Sequence, residues 1–333
     1  MHITPYADTE AARWDEFVGG ADNATFLHTR RFLSYHGERF RDLSLMFEDE
    51  RGALVGVLPA AEDRGDARRV VSHPGITYGG LLHRGELLGE AALEAFEAAR
   101  AHYRALGYDV LRYKAVPHVY HRRPAADDLY ALFRLGAARY RCDLSCAIDL
   151  ALRPAPSQRR RRGAKKAAQR GVVIEEGAQL IPAIWEVIED NLGRKYDLRP
   201  VHSADEIALL HGRFPDEIEF VAGVCDEKVV AGVVLFNTPL VVHAQYTAAS
   251  QAGYDTSALD AVFEHCVAKA AARGARFFDF GNSNEREGRY LNPGLYRFKT
   301  EFGAGGVVHE FYEISLAPAS DAPDASDTSD DEP

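Results

Sequence analysis

Read for its apolar and polar positions, the chain breaks into short strands and amphipathic helices that occur in the same order twice. Segment LSLMFEDERGALVGVL (43–58) reads as strand, polar turn, strand. EFVAGVCDEKVVAGVVL (219–235) reads the same way around Asp226, Glu227 and Lys228. GITYGGLL (75–82) and VVHAQYTAAS (241–250) then have strand character. Each leads into an amphipathic helix, AALEAFEAARAHYRALG (91–107) or SALDAVFEHCVAKAAARG (257–274), that stops at a glycine, the residue a left-handed cap favours. Both helices enter a further strand, YDVLRYKAV (108–116) or ARFFDFGNS (275–283). DLYALFRLGA (128–137) and GLYRFKTEFGA (294–304) follow, and each runs into a last strand, CDLSCAIDL or HEFYEISL.

Leu93 with Leu259 and Leu129 with Leu295 share one offset, so the echo extends over a whole unit. The economical reading is two copies of strand–strand–strand–helix–strand–helix–strand, each a mixed sheet flanked by helices, in the α/β (α+β) class. Expected boundaries are an N-terminal domain over 1–155, a basic junction over 156–175, a C-terminal catalytic domain over 176–316 and a disordered tail over 317–333. A helix, IPAIWEVIEDNLGRKY (181–196), follows the junction.

Charge refines this picture. The net charge is −11, but DAPDASDTSDDEP (321–333) holds six acids and no base, which reads as a solvated tail. Against that acidic background Arg159, Arg160, Arg161, Arg162, Lys165, Lys166 and Arg170 form a block without an acid. Arg159, Arg162, Lys166 and Arg170 recur at helical spacing on one face. Such a ridge suits a polyanion: a tRNA backbone, a diphosphate or an anionic membrane surface. No run of 18 apolar residues and no signal-like N-terminus is present, and four scattered cysteines read as free thiols, so a cytoplasmic setting is expected. The histidines show no metal spacing, and no phosphate-binding loop or dinucleotide fingerprint occurs.

The order of hairpin, strand, helix and strand resembles the Gcn5-related N-acyltransferase (GNAT) fold. Two such units, with LYRFKTEFGA (295–304) near the end, RRRRGAKKAAQRGVVIEE (159–176) at the junction and FLHTRRFLSYH (26–36) at the opening, resemble the Fem-type aminoacyltransferases. The resemblance covers roughly residues 20–316. It implies an N-acyltransferase with no metal and no tightly bound cofactor. Its co-substrate would be aminoacyl-tRNA or acyl-CoA, its acceptor an amine on a cell-envelope precursor or small molecule, and DNA is not an expected partner. It also maps the family's Phe-Lys pair onto Phe298 and Lys299. Two departures bear on the substrates. In QAGYDTSAL (251–259), Tyr254 and Thr256 stand where acyl-CoA enzymes carry the glycines of a pyrophosphate loop, and Asp255, Thr256 or Ser257 is expected to cap the helix instead. His36 stands where family members acting on a nucleotide-linked precursor carry a diphosphate-binding lysine, and a neutral histidine is the weaker phosphate ligand.

Attack of an amine on an ester or thioester needs the amine deprotonated and aimed and the oxyanion stabilised. Lys299, between Phe298 and Phe302, is either the charge that meets the donor or a lysine whose stem covers a ring while its ammonium reaches water. Asp279 is a candidate base or amine-orienting carboxylate, or else a structural partner for an arginine such as Arg297. His243, Gln245 and Thr247 alternate on one strand face, as a cleft lining would, with Tyr246 on the other. Asn282 ends the 277–283 strand, and Tyr290 and Asn292, in the loop before Lys299, are expected to line the same entrance. Catalytic candidates are thus Lys299, Phe298 and Asp279; substrate-binding candidates add His36, Arg162, Lys166, His243, Gln245, Tyr246, Asn282, Tyr290 and Tyr296. Two other readings stay open: acyl-CoA-dependent acylation in polysaccharide assembly, and a non-catalytic protein that binds tRNA or an anionic glycolipid on a degenerate transferase fold.

Overall fold

The computed structural model describes residues 1–196 and 199–317, so most of the expected acidic tail lies outside the described residues. The last strand of each copy, Ala138–Asp149 and Gly305–Ser315, is long enough to reach across the molecule, and the two strands pair with each other antiparallel. Each also pairs with the other copy. Ala138–Asp149 lies against Phe277–Asn282 of the second half, and Gly305–Ser315 against Val110–Lys114 of the first. A single ten-stranded sheet results, in the order 61–63, 66–71, 110–114, 305–315, 138–149, 277–282, 241–249, 228–237, 218–225, 173–176. A boundary near residue 155 therefore separates stretches of chain but not sheets.

Within this sheet the copies keep their internal likeness. Asp66–Val71 runs parallel to Val110–Lys114, as Val241–Ala249 runs parallel to Phe277–Asn282. Asp66–Val71 thus takes the place expected for residues 75–82. Of that segment, only Leu82 joins a strand, Leu82–His83, in a separate four-stranded sheet with His2–Pro5, Leu45–Glu48 and Leu54–Leu58. The cause is the glycine pair. A side chain on Gly79 would collide with the Ser72 carbonyl, and Gly80 has φ +97°, so the chain turns where a strand would continue. The loop it forms carries Thr77 toward the second half.

The second half is layered helix–sheet–helix. Helix Ala258–Ala272 buries Val262, Phe263, Cys266 and Val267 against one face, and helix Ile181–Tyr196 buries Ile184, Trp185 and Ile188 against the other. Each large apolar side chain so buried contributes roughly 1.5–3 kcal/mol. The expected helix over 257–274 is preceded by a separate turn of helix, Gln251–Thr256, with Ser257 at φ +62° between them. Ser250 caps the first turn by accepting from the Gly253 N–H, and Ser257 makes no side-chain cap. The caps expected at 255–257 are therefore replaced by one further upstream.

The basic block forms helix Gln158–Gln169, capped by the Ser157 hydroxyl. Arg160 turns inward and is buried. It pairs with Asp260 and Glu301 at 2.9 Å each, and its guanidinium lies 4.7 Å from the centre of the Phe298 ring. Arg159, Arg162, Lys166 and Arg170 stay exposed on the outer side. Gly163 permits the close packing, since a side chain there would strike the Asp260 carboxylate.

Candidate active site

Parallel pairing between Val241–Ala249 and Phe277–Asn282 lasts for only three residue pairs, ending at His243 opposite Asp279. Beyond this point the strands part. On its other side the first of them slips register at Gln245, so that Val234 faces Tyr246 while Leu235 faces Ala244. The splay opens a cleft of 680 Å³ lined by His243, Gln245, Thr247, Asn282, Phe298 and Lys299. His309, from the exchanged final strand, and Thr77, from the first half, complete its wall.

Asp279 lies beneath this cleft, 1% exposed. Its Oδ2 accepts from the Tyr120 hydroxyl at 2.7 Å and from His243 Nδ1 at 3.0 Å. Its Oδ1 accepts from the Ser145 hydroxyl at 2.5 Å and from the Gly281 N–H at 2.9 Å. A carboxylate has about four acceptor positions, and all are filled. Burial opposes its charge, yet His243 first, with His309 and Ser145, holds the carboxyl well below the usual carboxylate range. Where one of the two readings of Asp279 had an arginine partner, this ring of polar donors stands instead. Because an ionised carboxylate only accepts, Nδ1 of His243 carries a proton, on a ring that lines the cleft.

Lys299 belongs to helix Pro293–Thr300, which starts with Pro293 in its first turn and the Asn292 side chain capping the Leu295 N–H. It is 6% exposed, so its ammonium does not reach bulk water along its stem. Nζ donates to the carbonyls of Gly281 at 2.8 Å and Asn282 at 2.6 Å. Burial lowers its pKa to about 8, against the opposing influence of Cys146 and Asp279. An ammonium has three protons, and two are engaged by these carbonyls.

Beside the cleft runs a groove of 480 Å³ bounded by Arg159, Arg162 and Lys166 on one side and Tyr254 and Ser257 on the other. Phe298 and Leu259 line both spaces, so cleft and groove adjoin. Asp260, in the first turn of the Ala258–Ala272 helix, pairs with Arg160 where an anion would approach the helix N-terminus.

Other candidates fall elsewhere. The Tyr246 hydroxyl is bound by His202, 2.6 Å from Nδ1, and its ring meets Trp185 edge-on, away from the cleft. Tyr290 is 43% exposed on the Tyr290–Leu291 strand of a small hairpin and does not line the cleft. Tyr296 packs on the apolar cluster around Phe263 and Phe302. His36 lines a different pocket, in the first half, with Arg30, Arg31 and His73. Burial, with Arg39 and His202, lowers its pKa to about 4, so it is neutral as expected of that position. The alternation of His243, Gln245 and Thr247 did mark the cleft, although it cannot register the slip at Gln245. His309 was missed. Its signal was a histidine on the buried face of the final strand, in step with Val307 and Phe311.

Residues 156–299 match the model of the acetyltransferase (GNAT) domain family. Over nearly the whole chain the fold is also similar to that of FemX (12% identity, TM-score 0.66, covering 94% of this chain and 97% of that one). L-PGS from Bacillus licheniformis is similar as well (13% identity, TM-score 0.60, covering 92% and 91%). So is a tandem GNAT protein from the clavulanic acid biosynthesis pathway (12% identity, TM-score 0.52, covering 96% and 99%). No curated protein matches the sequence. The fold is a tandem GNAT-like acyltransferase fold, the class that the resemblance to Fem-type proteins implied. Among the described residues no helix is long and apolar enough to cross a membrane, and no cluster of His, Cys, Asp and Glu is arranged to hold a metal ion.

Proposed function

We propose that the protein is an N-acyltransferase that moves an aminoacyl group from aminoacyl-tRNA to an amine of a cell-envelope precursor or small molecule in the cytoplasm. The observation that carries this reading is the His243–Asp279 pair in a cleft that adjoins a basic groove. The ester end of the donor enters the splay between the strands, and its phosphates follow the Arg159, Arg162 and Lys166 face. His243 Nε2 takes a proton from the acceptor amine, and Asp279 holds the imidazole in the competent tautomer and steadies its charged form. The amine nitrogen bonds to the carbonyl carbon, the carbon–oxygen ester bond breaks, and the ribose oxygen leaves as a hydroxyl with the proton that His243 hands on. The third Lys299 proton lies at the cleft wall, where developing negative charge is stabilised in a water-poor setting.

A tRNA donor is favoured over acyl-CoA by the local backbone. Residues 251–257 form a turn whose Gly253, Tyr254 and Ser257 N–H groups are bonded internally and so are not free to hold a diphosphate. The acyl-CoA reading retains one specific support, the match of residues 156–299 to an acetyltransferase family. Amide formation from labelled aminoacyl-tRNA and from acetyl-CoA, with a set of amine acceptors, separates the two. Transfer from acetyl-CoA alone would overturn the tRNA reading, and transfer from neither would leave a binding protein.

A further inference from the structure

Two polar atoms in the cleft wall are buried without a hydrogen-bond partner, His309 Nε2 and Gln245 Oε1. Leaving such atoms unpaired is costly, so a pair of them on residues that line one cavity points to a ligand that completes them. His309 is the more constrained of the two. It lies on Gly305–Ser315 directly opposite Asp143 in the ladder and is 2% exposed. Neither nearby carboxylate is available to it. Asp279 is filled by its four donors, and Asp143 is engaged by Arg141 and by the Asn282 amide.

We propose that His309 is a catalytic residue that donates Nε2–H to the acyl carbonyl oxygen as that oxygen becomes the tetrahedral oxyanion. This rests on the acyl-transfer reading above. The amine lone pair forms the new carbon–nitrogen bond, the carbonyl electron pair moves to oxygen, and the His309 N–H bonds to that oxygen without transferring its proton. On collapse the ester oxygen departs as the ribose hydroxyl, taking from His243 the proton that the amine gave up. Burial keeps His309 neutral, with a pKa lowered to about 4, so it serves as a donor that gains no proton across the physiological range. Lys299 cannot fill this role alone, because two of its protons hold the Gly281 and Asn282 carbonyls. The exchanged strand thereby contributes directly to the chemistry of a cleft most of whose lining comes from residues 243–299.

The test compares His309→Ala, His309→Gln and His309→Leu in steady-state transfer. It is joined to a long-range proton–nitrogen spectrum of the wild-type imidazoles, recorded with a non-hydrolysable 3′-aminoacylamino adenosine. Loss of one oxyanion donor lowers kcat by about 100-fold. That loss is expected in His309→Ala and His309→Leu with KM little changed, and partial recovery in His309→Gln, which restores an N–H donor. The His309 signal should be that of a neutral Nε2–H tautomer and should move when the analogue binds. If His309→Ala does not fold, the Leu and Gln variants, closer in volume, carry the comparison. Wild-type kcat in the Leu variant, or a His309 signal indifferent to the analogue, overturns the proposal. Should the wild-type protein transfer no acyl group at all, the acyl-transfer reading fails on that result. The spectrum then decides separately whether His309 touches a ligand.

Discussion

Lys299 Nζ sits 2.6 Å from the carbonyl oxygen of Asn282 and 2.8 Å from that of Gly281. The lysine of the Phe-Lys pair is thus a clasp on the end of the Phe277–Asn282 strand as well as a charge at the cleft. Lys299→Met should therefore lose on two counts. Transfer should fall by about 100-fold or more through loss of the charge. Urea unfolding should show a loss of about 1–3 kcal/mol from the stranded carbonyls. Full stability in the variant would mean that the strand end holds without its clasp.

The same residue sets a pH dependence whose sign is fixed. Its pKa is about 8 in the fold, below the 10.5 of an ordinary lysine. Between those values the unfolded chain binds more protons than the native one, so this contribution to stability rises with pH through that window and is smallest below pH 8. Activity should run the other way, falling above about pH 8 as the ammonium is lost. Buried Lys114, lowered to about 7 by burial and by Arg141, adds a rise of the same sign that begins lower, near pH 7, and continues through the same window to 10.5. The difference between wild type and Lys299→Met therefore isolates the Lys299 contribution in pH-dependent melts.

His243 and Asp279 should behave as one unit. His243→Ala is expected to lower kcat by about 100- to 10,000-fold. Asp279→Asn should approach that loss by unsettling the tautomer, and the double variant should be little worse than either single one. Additive losses measured in a double-mutant cycle would mean that the two residues act separately.

The outer face of helix Gln158–Gln169 is tested by salt. Neutralising Arg162 and Lys166 together should weaken tRNA binding. It should also flatten the plot of log affinity against log salt by about one unit for each phosphate left without its cation. Acetyl-CoA binding should be unaffected if CoA is not the donor. An unchanged salt slope for tRNA would detach the ridge from the donor.

Much of the fold was legible because its elements are local. The strand pairs near 43–58 and 219–235 and the helix over 181–196 follow from apolar periodicity, and the structure has them within a few residues; the duplicated order holds too, apart from the strand expected at 75–82. What escaped was long-range. Nothing in CDLSCAIDL or HEFYEISL states which neighbour each will pair with, since alternation encodes a face and not a partner. The glycine pair at Gly79 and Gly80 is readable as a break, yet it falls inside a stretch of strand character. Lys299, Phe298, His243, Gln245 and Asn282, each singled out in the sequence, line one cleft, while Asp279 was read without its four donors and His309 was passed over. Burial and saturation of a carboxylate are properties of the folded neighbourhood, and one-dimensional spacing does not contain them.

The exchanged strands bear on how the chain is made. When the first half emerges from the ribosome, the flank of Val110–Lys114 that Gly305–Ser315 will cover is still bare, because its partner has yet to be synthesised. Val110 waits for Ser315, near the end of the described chain, before its ladder closes. An unpaired edge held open through translation of the whole second half is an invitation to wrong pairing, including with the same edge of a neighbouring nascent chain. Folding of this protein is thus expected to finish late and all at once, with the last strand acting as the keystone of both halves.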